Sequence, residues 1–170
     1  INDTDGQFGL IKALIKIIGP KRGFELALSS DFPLQSGLGG SAAISAAVLG
    51  CFNELREDKF DKYELAELAY TAERHRLGIR GGWQDRYATV FGGFNFMEFK
   101  MDENVIHPLR IPAEVILELE EALVLINTNT SHESDAQHIA QAAQMKSSAS
   151  IESVTENVRL CYEMRDLLLR

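Results

Sequence analysis

Pro33-Leu-Gln-Ser-Gly-Leu-Gly-Gly-Ser-Ala-Ala43 sets three glycines directly ahead of a segment that reads as a helix. Unpaired backbone N–H groups at a helix start, together with the positive end of the helix dipole, make an anion site. Glycine suits such a loop because a side chain would hold a phosphate away from the backbone. The Ser41 hydroxyl, at the helix start, is placed to meet a phosphate or a magnesium ion. The same residues also describe a turn that merely caps a helix, and composition alone leaves both readings open.

Two better-known phosphate loops do not fit. A P-loop carries lysine directly before its serine or threonine, and Gly40 stands there. Gly37, Gly39 and Ala42 match the spacing of a dinucleotide fingerprint, but that loop should leave a strand at once and lead to a second strand. Here six residues separate the preceding strand from the glycines, and two helical segments follow.

Downstream, Ile44, Val48, Phe52 and Leu55 recur at helical spacing from Ser41 to Arg56. A second helix starts at Asp61, where Glu64 completes a capping box, and runs to about Leu77, with Gly78 as its stop. Upstream, Phe24, Leu26 and Leu28 alternate with less apolar residues, which predicts a half-buried strand over 23–30. Phe8, Ile11, Leu14 or Ile15, and Ile18 predict a helix stopped by Gly19-Pro20. A glycine-rich stretch, 78–93, surrounds a helical turn or two at Trp83 to Phe91. Strands are expected at 94–99 and 105–109, a helix at 113–120, and a buried strand at Leu123 to Ile126. Helices at 133–145 and 151–169 complete the reading, with a serine-rich turn between them.

The chain has 170 residues, 45% hydrophobic and 25% charged, enough to bury a core. Its 17 basic and 25 acidic residues give a net charge of -8, which argues against a nucleic-acid partner or an anionic membrane. Cys51 and Cys161 fall at apolar helical positions and are expected as buried free thiols, in keeping with a cytoplasmic location. The ends read as those of a piece of a longer protein.

Phosphoryl transfer needs a carboxylate that holds magnesium against phosphates, and often a second that takes the proton of the attacking hydroxyl. Glu73, near the end of the second helix, and Asp85, in the glycine-rich stretch just after Gly81, Gly82 and Trp83, are the candidates. Trp83, Gly82, Arg80, Arg86, Ser131 and His132 are expected on the acceptor side, where either arginine suits a sugar phosphate.

These motifs resemble those of the GHMP kinases, whose second motif has the form Pro-x-x-x-Gly-Leu-Gly-Ser-Ser-Ala. Pro33 to Ala42 matches it except at Gly40. The resemblance implies that Pro33, Gly37, Leu38, Gly39, Gly40, Ser41 and Ala42 bind the ATP phosphates, that Ser41 and Glu73 hold Mg2+, and that Asp85 is catalytic. Within the family, Ala72-Glu-Arg74, Gly-Gly-Trp-Gln-Asp85 and Tyr87 to Phe99 look like the branch that phosphorylates D-glycero-D-manno-heptose 7-phosphate at its anomeric hydroxyl. Fucokinase-like enzymes share Gly-Gly-Trp-Gln-Asp. Arg86 stands where these relatives usually carry glutamine, Arg80 where a small residue is common, and Asn129 replaces a glycine of a Thr-Gly-Thr-Ser-His loop.

The order of elements does not alternate as β-α-β, so the expected class is α+β. The resemblance implies a ribosomal-protein-S5-like ATP-binding part over 1–121, and the start of a ferredoxin-like domain over 122–170. The expected partners are ATP and a small sugar or sugar phosphate, with self-association as a homodimer left open. A noncatalytic sugar- or nucleotide-binding homologue is the rival reading. Retention of both Glu73 and Asp85 speaks against it.

Overall fold

The computed structural model describes residues 8–31, 36–78, 81–126 and 148–170. The chain divides into two compact units, the described residues up to Gly92 forming the first and those from Gly93 onward the second.

The first unit is helical. Helix α1 (Gly9–Ile18) ends where Gly19 turns left-handed, at φ 58°, and donates its N–H to the Ile15 carbonyl at 2.9 Å. Helix α2 (Gly40–Glu54) leaves the glycine-rich loop, and α3 (Lys62–Thr71) begins at the capping box. In that box Asp61 accepts from the Glu64 N–H, and Glu64 accepts from the Asp61 N–H, both at 2.8 Å. The expected helix to Leu77 does not continue as an α-helix. A π-helical turn, Ala72–Arg76, follows α3 and carries Glu73. Such insertions are rare and recur at functional sites. Helix α4 (Gln84–Phe91) is the helical segment expected near Trp83.

Ala13, Leu14, Ile15, Val48, Leu49, Phe52, Ala69 and Ala72 form the core of this unit. Leu14 and Leu49 are fully buried, a burial that stabilises by about 1.5–3 kcal/mol each. Ala66, Ala69 and Ala72 recur every third residue and present a small-residue face on which the helices close. The inward face of α2 is Ala42, Ser45, Val48, Leu49 and Phe52. Leu55, expected on that face, lies beyond the last turn and is 81% exposed.

Residues 23–30 form no strand, because no partner for a ladder lies beside them among the described residues. The segment is held by side chains instead: Phe24 meets Phe52 edge to face at 4.9 Å, and Leu26 packs against the core.

In the second unit, β1 (Asn95–Phe99) and β2 (Asn104–Pro108) form an antiparallel hairpin, with Phe96 opposite His107 and Glu98 opposite Val105. Helix α5 (Ala113–Ala122) and the long α6 (Ser148–Leu168) follow. Tyr162 of α6 lies 4.9 Å from the Phe96 ring and donates to Glu98 at 3.0 Å, while Arg165 covers both rings. Leu123 to Ile126 is neither a strand nor buried. It is 73–86% exposed, with no neighbouring strand among the described residues to cover its apolar side chains. Cys51 and Cys161 are free, as expected, but exposed rather than buried, since both fall on outward faces of α2 and α6. The helix expected at 133–145 lies outside the described residues.

Candidate active site

The glycine-rich loop acquires its shape from two left-handed residues. Gly37 has φ 76° and Gly39 has φ 71°, conformations strained for any residue with a Cβ. Gly39 is the N-cap of α2 and supplies no side-chain cap. The first intrahelical bond runs from the Ala43 N–H to the Gly39 carbonyl at 3.0 Å, so the amides of Gly40, Ser41 and Ala42 precede it and have no acceptor within the helix. Leu38 and Ser41 are exposed, whereas Ala42 is buried and fixes the loop to the unit's interior. One turn deeper, the buried Ser45 hydroxyl has no hydrogen-bond partner among the described residues.

Helix α4 packs against both α2 and α3, and its own side chains determine its seat. The buried Tyr87 donates its hydroxyl to Glu67 of α3 at 2.6 Å. Phe91 stacks on Tyr87 and meets Tyr63 edge to face at 4.9 Å. Lys62 bonds to the Phe91 carbonyl at 3.2 Å, tying the last turn of α4 to the first turn of α3. At the other end Trp83, the N-cap of α4, stacks on Tyr70 with ring centroids 4.9 Å apart and planes 20° apart. Asp85 follows in the first turn. It is exposed, and its carbonyl accepts the Thr89 hydroxyl at 2.7 Å.

Glu73 and Arg86 form an ion pair in which Arg86 Nη2 meets Glu73 Oε2. Both residues are buried, 4% and 8% exposed. Arg86 Nη1 also donates to the Gly82 carbonyl at 3.0 Å, while its Nε is buried without a partner among the described residues. Burial lowers the Arg86 pKa from its ordinary value, and Tyr70 opposes that shift. A Cβ at Gly81 would stand 3.5 Å from Arg86 Nη1, an ordinary van der Waals contact, so the guanidinium lies alongside this backbone without requiring glycine there.

The structure therefore brings Glu73, Gly82, Trp83, Asp85 and Arg86 together around the start of α4, and places Gly37 to Ala42 on the start of α2 in the same unit. Arg86, expected to face the acceptor, is directed inward onto Glu73. Pro33, Arg80, Ser131 and His132 lie outside the described residues. The sequence reading missed Tyr70 and Ser45, which carry no signal beyond helical spacing. It also missed the Arg86–Glu73 partnership, which depends on the π-helical turn. The Ser41 hydroxyl and the Glu73 carboxylate are hard oxygen donors and suit magnesium in kind. Among the described residues no three His, Cys, Asp or Glu side chains converge on a point, so phosphate oxygens and water must complete any such shell.

A glycine loop opening α2, a buried carboxylate on the π-helical turn after α3 and an exposed aspartate two residues after Trp83 thus lie in one helical unit. Residues 8–93 match the GHMP kinases N terminal domain, and the chain belongs to the GHMP kinases. It is 40% identical over 173 residues to the D-glycero-alpha-D-manno-heptose 7-phosphate kinase of Campylobacter jejuni, a match covering 98% of this chain and 51% of that protein. A galactokinase of Mycobacterium tuberculosis is 37% identical over 84 residues, covering 49% and 23% respectively. Among solved structures, a D-glycero-D-manno-heptose 1-phosphate kinase from Bacteroides thetaiotaomicron superimposes with a TM-score of 0.64 at 37% identity, covering 69% of this chain and 40% of that one. The chain thus spans about half, or less, of the length of the relatives it matches. No described helix is long and apolar enough to cross a membrane.

Proposed function

We propose that this chain carries the ATP-binding part of a cytoplasmic sugar kinase that transfers the γ-phosphate of ATP to the anomeric hydroxyl of a heptose phosphate, D-glycero-D-manno-heptose 7-phosphate being the first candidate. The observation that carries the reading is the left-handed Gly37 and Gly39 leading into the uncapped start of α2, in the same unit as the exposed Asp85. Similarity along 98% of the chain to a heptose 7-phosphate kinase supports the choice of sugar. In this reading residues 1–121 are an S5-like ATP-binding domain and 122–170 begin a ferredoxin-like one.

The loop from Pro33 to Ala42 wraps the phosphates, with the Gly40, Ser41 and Ala42 amides donating to their oxygens. Gly82 and Trp83, stacked on Tyr70, offer the sugar a flat apolar face, with Ser131, His132 and Arg80 completing the acceptor side. Asp85 orients the sugar hydroxyl and takes its proton as the oxygen attacks the γ-phosphorus. The bond to the β-phosphate oxygen breaks, ADP leaves, and no covalent enzyme intermediate forms. Magnesium, bound with ATP through Ser41 and Glu73, supplies positive charge against the phosphate oxygens. Because the transition state is loose, positioning and charge dominate, and Asp85 contributes about 10²- to 10⁴-fold in rate.

A noncatalytic binder of nucleotide or sugar is the second reading, favoured by one observation: Arg86 already neutralises Glu73. The deciding experiment is ATP turnover with magnesium against a panel of sugars and sugar phosphates that includes heptose 7-phosphate. Phosphate appearing on the anomeric oxygen supports the kinase, whereas ATP bound without turnover across the panel supports the binder.

A further inference from the structure

The Glu73–Arg86 pair is unusual in its placement. The carboxylate sits on a π-helical turn, is 4% exposed, and has a protein cation lying on its Oε2. The pair is incompletely satisfied: Arg86 Nη1 donates to the Gly82 carbonyl and Nη2 is ion-paired with Glu73, but neither Arg86 Nε nor Glu73 Oε2 has a hydrogen-bond partner among the described residues. A glutamine at this position would leave the carboxylate's charge uncompensated and open to an external cation. An arginine compensates it from within. A divalent ion and the guanidinium seek the same oxygen, and two cations in one buried position repel each other strongly.

We propose that Arg86 is a tethered counter-ion that competes with the divalent ion for Glu73, so that metal binding at this carboxylate requires Arg86 to swing away. This rests on the reading of Glu73 as a metal ligand. Arg86 is on this view a positioning residue that sets how strongly metal and nucleotide support each other. Occupancy by Arg86 keeps the π-helical turn and α4 joined while the metal is away. Displacing it severs the link between Glu73 and the start of α4, beside Asp85.

The test reads binding rather than turnover. The affinity for ATP is measured by calorimetry with and without Mg2+, and the ratio of the two gives the metal–nucleotide coupling. Arg86→Gln, which keeps an N–H donor for the carboxylate but removes the charge, is expected to raise that ratio about tenfold, and Glu73→Gln to bring it close to one. If Glu73→Gln leaves the ratio unchanged, Glu73 is no metal ligand, and both that reading and the competition fall. If Glu73→Gln lowers the ratio while Arg86→Gln leaves it at the native value, the ligand stands and the competition is refuted. A measurement on the unmodified chain covers the case in which the variants fail to fold. Trp83, the single tryptophan, adjoins Gly82, to which Arg86 is bonded, so adding Mg2+ to the ATP-bound protein is expected to change its emission beyond the change made by ATP alone. Metal-dependent tightening of ATP with no such increment overturns the swing.

Discussion

Removing one member of the Glu73–Arg86 pair tests whether it is a desolvated contact or a surface one. The side chains are 5% and 10% exposed, so solvent screening discounts the interaction little. Arg86→Met leaves the Glu73 charge buried without compensation, a loss of about 3–5 kcal/mol, and gives up the bond to the Gly82 carbonyl, about 1 kcal/mol more. At a urea slope of about 2 kcal/mol per molar, the midpoint should fall by about 2 M or more. Glu73→Met strands the guanidinium and should cost a similar amount. The double variant removes both charges and fills the space with apolar atoms, which is often neutral or better than the original pair. It should therefore lie close to the native chain, about 1 kcal/mol lower. The coupling extracted from the cycle is then about 6 kcal/mol or more, far above the few tenths expected of independent positions. A coupling below about 0.5 kcal/mol would refute the pairing and remove the basis for Arg86 as an internal counter-ion.

Asp85→Asn is expected to lower phosphoryl transfer about 10²- to 10⁴-fold while ATP affinity stays native; unchanged turnover in a stopped-time product assay removes Asp85 from the chemistry. Gly39→Ala places a Cβ at φ 71° with open space around it, so strain alone should destabilise by about 1–2 kcal/mol in urea unfolding. Asp61→Ala removes the acceptor for the Glu64 N–H and should lower stability by about 1 kcal/mol, visible as a fall of several degrees in thermal unfolding; no change would mean that the Glu64 half of the box suffices. In the second unit, His107 and then Tyr162 hold the Glu98 carboxyl below its ordinary pKa. A depressed carboxylate adds stability above its unfolded pKa and loses it as pH falls through the folded one, so this contact should weaken only below the ordinary glutamate range. His107→Ala should raise the Glu98 pKa in an NMR titration, and an unmoved titration would contradict the contact.

The pattern of legibility follows from the range of the forces involved. Asp61 and Glu64 announce α3 because a capping box is a contact between residues three apart, and the strands expected at 94–99 and 105–109 form β1 and β2 because the pattern of a short strand is local as well, though their pairing was not read. The glycine loop was equally readable: Gly37 and Gly39 take the left-handed backbone that their composition permits. The misreadings at 23–30 and at Leu123 to Ile126 have the opposite origin. Alternation and apolar runs state what a segment would bury if a partner strand came alongside, and no such strand is present among the described residues. Leu55 failed for a simpler reason, since periodicity cannot say at which residue a helix stops.

The site shows the same division, with a sharper consequence. Residue types sufficed to nominate Glu73 and Asp85 as the two carboxylates, because few side chains can hold a metal or take a proton. They did not reveal that Arg86, adjacent to one, would lie against the other. That contact joins positions thirteen apart across a glycine-rich bend and depends on a π-helical turn that no periodicity in Ala72 to Arg76 foretells. Arg86 was legible only as a departure from the resembled motif, a cation where that motif implies a neutral amide. A departure of that kind beside a nominated carboxylate is informative because buried charge must be balanced. An added guanidinium in a helical core has few acceptors available, and here it lies against Glu73, the carboxylate nominated for the metal. Reading substitutions near carboxylates by asking which charge each one balances would have located this pair before the fold was known.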